Sequence, residues 1–243
     1  MGELLERYKG GECAQVWAEL VAGIDRDGRP IPDEEAEAVA RETMERVRRN
    51  LTLLVDWLQK RGFQFGMYPD GEMLDYYQGP LLPPDRAIQR KIARLKRLAG
   101  PIPLSIRMFW EIVGSVDLTG TLSDWPDGEF DPLIVFPVEA SLEEYPEWKA
   151  CCDEDGIEEV GPFQIVIAPD AIHKANVSGG EPYGIVVPDS HVDAILVNEE
   201  RHTTFVNYLR ISFQWGGFPG FAASALQSPP AEIEELTQGL EPI

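Results

Sequence analysis

The segment Asp189-Ser190-His191-Val192-Asp193 carries residue types that bind metal ions or move protons. Side chains two residues apart point to the same face of an extended backbone, so Asp189, His191 and Asp193 would lie together. Carboxylate and imidazole groups arranged in this way could hold a divalent metal. Asp and Ser are also common turn residues, and the segment directly follows Pro188. A metal-dependent enzyme that uses these three residues is therefore one alternative, although no second His, Cys or acid cluster completes the site.

Other catalytic patterns are missing from the sequence. Residues 179–184 lack the lysine and helix start of a phosphate-binding loop, and they lack the GxGxxG order. The chain has no GxSxG or HExxH motif, and neither Cys151 nor Cys152 has a neighbouring base in sequence. The run Glu199-Glu200-Arg201-His202 precedes a predicted helix, which favours a capping role over acid–base catalysis. We therefore expect no catalytic residue, no metal and no cofactor.

An acidic segment suits a different kind of chemistry, the binding of a basic protein surface. Nine acids lie between residues 139 and 159 with one base, Lys149, and two large aromatic residues are interleaved with them. Carboxylates around aromatic anchors suit a patch that binds a basic partner. The alternative is a solvated loop or helix whose aromatic residues pack into the core. The candidate binding residues are Glu139, Glu143, Glu144, Tyr145, Glu147, Trp148, Asp153, Glu154 and Asp155.

The whole chain is acidic, with 42 Asp and Glu against 21 Lys and Arg and a net charge of −21. Such a charge repels phosphate backbones, so we expect no direct nucleic-acid binding, whereas a basic protein such as a toxin would be attracted. Simple solubility is the other interpretation of the charge. No window is apolar enough to span a membrane, and residues 1–7 lack signal-peptide character. Three cysteines without a CxxC motif suit a reducing compartment, so we expect a cytoplasmic protein without membrane contact.

Helices are predicted where apolar residues recur every three or four positions. The predictions are a short helix over residues 12–24, a long helix from Asp33 to Gly62, and helices over residues 85–98, 104–113 and 203–216. The outer face of the 85–98 helix is either a docking surface or a solvated face that compensates nearby carboxylates. Its six bases are Arg86, Arg90, Lys91, Arg94, Lys96 and Arg97.

Short β-branched runs predict strands over residues 63–67, 116–118, 133–136, 163–167, 184–187 and 194–197. Most connections are too short for crossover helices. We therefore predict an α+β fold with a mainly antiparallel central sheet of about five or six strands, helices packed on it, and a helical N-terminal extension. The predicted regions are helices with one strand (1–82), an α+β domain (83–222) and a loosely packed acidic tail (223–243). One core should contain Phe109, Phe136, Ile165, Val187, Leu196 and Phe213.

Two short segments resemble the SUKH superfamily. Residues 103–110, Pro-Leu-Ser-Ile-Arg-Met-Phe-Trp, are similar to its proline-started helix with a central aromatic residue, which precedes a Gly turn and the central sheet. Residues 131–137, Asp-Pro-Leu-Ile-Val-Phe-Pro, are similar to its next strand, which runs into a proline and an acidic helical segment. The resemblance covers residues 82–221. It departs from the family at residues 113–117, where Val-Gly-Ser-Val-Asp stands in place of a frequent Asn-Gly.

The SUKH resemblance implies binding without catalysis, on a fold with helices against a largely antiparallel sheet. The superfamily includes bacterial immunity proteins that neutralise toxins, many of them nucleases, and a fungal regulator of cell-wall synthesis. Our leading hypothesis is a non-catalytic protein-binding module, specifically an immunity-type inhibitor of a basic protein toxin. A housekeeping regulatory scaffold is one alternative, and the metal-dependent enzyme that uses Asp189, His191 and Asp193 is the other.

Overall fold

The computed structural model describes residues 2–68, 71–122, 125, 130–222 and 231–243. Its α-helices are α1 (Glu3–Lys9), α2 (Cys13–Ala22), α3 (Asp33–Lys60), α4 (Ile88–Ala99), α5 (Leu104–Ile112), α6 (Val138–Asp155), α7 (Ile157–Val160), α8 (Ala171–Lys174), α9 (Phe205–Gln214) and α10 (Ala231–Thr237). Its strands are β1 (Gln64–Phe65), β2 (Leu81–Leu82), β3 (Ser115–Asp117), β4 (Gly120–Thr121), β5 (Ile134–Val135), β6 (Gln164–Ala168) and β7 (Tyr183–Val186). Within these ranges, no helix combines the length and apolar composition needed to cross a bilayer.

Helix α3 forms where the sequence predicts an acidic first turn followed by an apolar stripe. The three acids of its first turn suit the positive end of the helix dipole. Met44, Val47 and Leu51 are completely buried along one face. Helix α1 packs on α3, and Trp17 Nε1 of α2 donates a 3.0 Å hydrogen bond to Thr43 Oγ1. The predicted helix over residues 12–24 and the long helix are therefore confirmed.

The turn between α5 and β3 fixes where β3 begins. Gly114 has a φ of +91°, and a Cβ at this position would lie 2.1 Å from the carbonyl oxygen of Leu82. Glycine is therefore required, both by the left-handed backbone and by the close approach of β2. Trp110 Nε1 donates to the carbonyl of Phe136 at 3.0 Å, which joins α5 to the segment between β5 and α6.

The strands form three small antiparallel sheets, so the prediction of one sheet with about five or six strands is wrong. Strand β1 pairs with β4, strands β2, β3 and β5 form a three-stranded sheet, and β6 pairs with β7. Prolines explain the short strands, because a proline has no N–H to donate to a neighbour. Those that flank β5 and β7 are Pro132, Pro137, Pro182 and Pro188. Residues 194–197, predicted as a strand, form only isolated bridges. The α+β class and the antiparallel pairing are confirmed.

One hydrophobic core includes buried residues from both ends of the chain, Leu4 and Ile243 among them. Helix α5 joins α9 within it, where the rings of Phe109 and Phe205 meet edge-on with centroids 5.6 Å apart. Of the six residues predicted to share a core, half-buried Phe136 packs against this cluster. The other five are buried inside it: Phe109, Ile165, Val187, Leu196 and Phe213.

Residues 231–243 correct the prediction of a loosely packed tail. Helix α10 buries Ile233 and Leu236, which lie three residues apart and face the core together. The side-chain amide of Asn50 donates to the carbonyl of Glu241 and accepts from its N–H, both at 2.8 Å. Arg49 forms an ion pair with the Glu241 side chain. Residues 223–230 lie outside the described residues.

Candidate functional site

The predicted metal ligands Asp189, His191 and Asp193 are not brought together. Exposed His191 contacts Asp189, with Nδ1 and Oδ1 2.6 Å apart. Asp193 is buried instead, and its carboxylate accepts the N–H groups of Ala194 (3.2 Å) and Val206 (3.3 Å). It thereby satisfies the first turn of α9, and burial raises the pKa of its carboxyl. In the part of the chain that the structure describes, no group of three or more His, Cys, Asp or Glu is placed to hold a metal.

The segment from Glu199 to His202 has a structural role, but not the predicted one. Glu199 is fully buried and accepts hydrogen bonds from the backbone N–H of Arg201 (2.9 Å) and from its guanidinium (3.1 Å). The guanidinium also donates to the carbonyl of Pro219 at 3.1 Å. His202 has a φ of +49°, so the chain turns before α9 begins. Asp193, from an earlier loop, supplies the helix-terminal acceptor that we expected from this segment.

The predicted acidic segment forms α6 and α7, and most of its acids are exposed. We call the exposed set the acidic face; it consists of Glu143, Glu147, Asp153, Glu154, Asp155, Glu158 and Glu159. Glu139 and Glu144 are half-buried. Burial, followed by the charges of Glu147 and Glu143, raises the pKa of Glu144. Burial and, to a smaller extent, the neighbouring negative charges therefore both disfavour ionisation of Glu144.

The basic helix α4 packs against α6, an adjacency that the sequence did not reveal. Lys91 forms ion pairs with Asp85 and with Glu139 in the first turn of α6. The hydroxyl of Tyr145 donates to the carbonyl of Leu98 at 2.8 Å, which links the two helices further along. Lys91 therefore compensates part of the charge at the start of α6. This agrees with the interpretation of the basic face as one that balances nearby carboxylates.

The two aromatic residues of the acidic segment pack inward. Ring centroids of Tyr145 and Trp148 lie 5.1 and 5.4 Å from that of Phe163. Trp148 Nε1 donates to the carbonyl of Gly161 at 3.1 Å. Both rings are half-buried, as in the alternative in which they pack into the core. A partner could contact only their exposed edges, whereas Ile157 is 56% exposed beside the acids.

A second cluster, which the sequence analysis missed, surrounds Lys174. Its side chain is fully buried, and Nζ donates to Asp131 Oδ1 at 2.6 Å. The ammonium lies 4.7 Å from the ring centroid of Tyr183 and 3.4 Å from the hydroxyl of Tyr208. Asp131 has a φ of +46°, which is uncommon for a residue other than glycine. A buried ion pair needs well-placed partners, and Lys174 has the Tyr208 hydroxyl and the Tyr183 ring beside it in addition to Asp131.

A cavity of about 410 Å³ opens beside the Lys174 cluster. Asp117, the last residue of β3, lines it and accepts the N–H of Thr119 at 2.9 Å. Burial raises the pKa of the Asp117 carboxyl. His173 also lines the cavity, and its Nδ1 contacts the Asp170 carboxylate. Burial opposes ionisation of Asp170, but hydrogen bonds from His173 and from the start of α8 outweigh it and lower its pKa.

The cavity has the size and mixed polarity of a ligand site. An imidazole oriented by a carboxylate could act as a general base, but nucleophilic catalysis also needs a hydroxyl or thiol in hydrogen-bond contact with it. Among the described residues, no hydrogen bond joins His173 to a Ser, Thr or Cys side chain. The only sequence signal for this cluster is the Asp170–His173 spacing, because Asp117 and Asp131 come from distant segments.

Comparison with known proteins adds no identity. The chain matches no protein-family model, no curated protein and no solved structure at a significant level. The resemblance to the SUKH superfamily therefore stays a prediction that rests on residues 103–110 and 131–137. Two features of the described chain could bind a partner or ligand, the acidic face and the cavity beside Lys174.

Proposed function

We propose that this protein is a non-catalytic binding module that binds a basic protein through the acidic face. Its most specific form is an immunity-type inhibitor of a basic toxin. The observation that supports it is the lack of compensating cations on that face. Of its seven acids, only Asp153 has an ion-pair partner within the described residues, Lys149.

Electrostatics gives this face a reason to bind. Neighbouring carboxylates repel each other, and the raised pKa of Glu144 reports that repulsion as well as burial. A basic surface would relieve it and would be attracted from a distance by the net charge of −21. Ile157 adds an exposed apolar side chain around which charged residues could form a rim.

The toxin assignment rests on the SUKH resemblance together with a general argument about charge. A nuclease holds its substrate through Lys and Arg contacts to phosphates, so its substrate surface is basic. An inhibitor that covers such a surface must present acids, as the acidic face does. A housekeeping scaffold that binds a basic cellular protein would use the same surface, and the two differ in whether the partner is toxic.

Differential capture tests the proposal. The baits are the wild-type chain, a face variant (Glu143→Lys, Glu147→Lys, Glu154→Lys) and a control variant (Asp56→Lys, Glu181→Lys, Glu200→Lys). All six positions are exposed, and both variants change the net charge equally. Half-buried Glu144 is left intact because its replacement could disturb folding. Basic proteins should be captured by the wild type and the control but not by the face variant. Equal capture by all three baits would contradict the proposal.

The captured partner then separates an inhibitor from a scaffold. If it is a toxin, its expression alone should arrest growth, and co-expression of the wild type or the control variant should restore growth. The face variant should not protect. A partner whose expression is harmless would favour the scaffold and contradict the toxin assignment.

A further inference from the structure

The cavity beside Lys174 contains a carboxyl group that lacks a cation. Asp117 forms no ion pair within the described ranges, and its carboxylate accepts hydrogen bonds from the N–H and from the side chain of Thr119. The nearby ammonium of Lys174 is already bound to Asp131 at 2.6 Å. A buried carboxylate is costly when unpaired, which agrees with the raised pKa of Asp117. A positively charged group bound in the cavity would therefore stabilise the Asp117 carboxylate.

The basic groups of the described wall are each paired with an acid other than Asp117. Lys174 and Asp131 form a neutral pair, and His173 faces the carboxylate of Asp170. Asn176, which also lines the cavity, donates to Glu72 at 3.3 Å and so places another acid close to the wall. Lys174 attracts Asp117 but is bound to Asp131, and the other described polar groups of the wall are neutral or paired with acids.

Aromatic rings supply a second, independent preference. Tyr68, Tyr76 and Phe136 line the cavity, and Tyr76 is 73% exposed at its edge. The face of a tyrosine ring attracts cations, and a planar cation stacks on it best. A guanidinium is planar and can also donate two parallel hydrogen bonds to one carboxylate, whereas an ammonium can do neither.

We propose that this cavity binds a guanidinium group, with Asp117 as its ion partner and the rings of Tyr68 and Tyr76 as stacking surfaces. The chemistry is that of an arginine side chain on a protein or of a free guanidinium compound. The cavity lies outside the acidic face, so the inference stands whether or not the proposed function does.

Titration with matched small molecules tests this. The probes are N-acetyl-arginine amide and its neutral isostere N-acetyl-citrulline amide, followed through the backbone amide resonances of Thr119 and His173. The arginine compound should shift both resonances in a saturable way, and the citrulline compound should not. Equal shifts from both compounds, or no shift from either, would overturn the proposal. Free arginine, which adds an α-ammonium and a carboxylate, separates the two sources: weaker binding than the capped residue indicates a protein side chain, and tighter binding indicates a free compound.

Variants assign the binding to this cavity. Asp117→Asn keeps an oxygen for the Thr119 N–H but loses the charge, so affinity should fall roughly ten- to a hundredfold. Tyr76→Ala, at an exposed position, should cost about two- to fivefold. Glu34→Gln with Asp56→Asn, at exposed positions on α3 that do not line the cavity, serves as the control and should leave the affinity unchanged. Unchanged affinity in a folded Asp117→Asn variant would overturn the assignment; if that variant does not fold, unchanged affinity in Tyr76→Ala does so.

Discussion

At the scale of single residues, Asp117 makes the stability of the folded protein depend on pH. Burial raises its pKa above the ordinary value of 3.8, so the folded state binds the proton more tightly than the unfolded state does. The stability that this carboxyl contributes is present below pH 3.8 and is lost as pH rises through its folded pKa. The Asp117→Asn variant has no carboxyl at this position, so it does not lose this stability as pH rises. Its stability relative to the wild type should therefore rise as pH increases above 3.8.

Urea unfolding at several pH values measures this difference for Asp117→Asn. The midpoint of the variant should move upward relative to the wild type as pH increases. A difference between the two midpoints that stays constant over the whole range would contradict the raised pKa.

Phe109 tests the predicted core at the same scale. Its ring is completely buried against Phe205, so Phe109→Ala should lower the free energy of unfolding by about 3 to 5 kcal/mol. Leu53→Ala, at a position that is 47% exposed, should change it by less than about 1 kcal/mol and serves as the control. Denaturant melts measure both free energies of unfolding. A similar decrease in the two variants would show that Phe109 is not central to the core.

The sequence predicts the core residues better than the cavity residues, for a physical reason. The burial of Phe109 and Phe213 can be predicted from the regular spacing of apolar residues around them. Asp117, Asp131 and Lys174 come from different segments, and each looks like an ordinary polar residue in its own context. They meet only through tertiary folding, so no local pattern could show that one acid is paired and another is not.

At the scale of elements, the C-terminal segment is held by specific hydrogen bonds rather than by propensity. Asn50→Ala removes both bonds to the main chain of Glu241 and should lower the free energy of unfolding by about 1 to 3 kcal/mol. Hydrogen exchange at the Glu241 amide should accelerate. Gln59→Ala, on the exposed face of the same helix, is the control. Unchanged exchange at Glu241 in the Asn50 variant would contradict the docked arrangement.

Helices were predictable from sequence, whereas strand pairing was not. Helix α3 carries a long periodic stripe, but strands such as β5 have two residues and prolines nearby. A run of two residues is too short to show the alternation of apolar and polar residues that predicts a strand. The packing of α4 on α6 also depends on tertiary contacts, although the opposite charges of the two helices agree with it. Because the tail is strongly acidic, the sequence analysis did not predict that Ile233 and Leu236 dock α10 on the core.

At the scale of the whole molecule, charge is the property most closely linked to function. The net charge of −21 acts at long range, while in the proposed function the acidic face is the surface on which a basic partner docks. Local pairing matters as much as composition, because Lys91 offsets part of the first turn of α6, whereas only Asp153 of the acidic face has an ion-pair partner among the described residues. The account therefore predicts that the acidic face, and not acidity in general, controls association.

The most direct test is the association rate of the captured partner with the wild type, the face variant and the control variant at two salt concentrations. Raising salt from about 0.05 to 0.5 M shortens electrostatic reach to a few ångströms, so wild-type association should slow about tenfold or more. The face variant should associate slowly at both concentrations, and the control should behave like the wild type. Dissociation should change much less. An association rate that is indifferent both to salt and to Glu143, Glu147 and Glu154 would contradict the account.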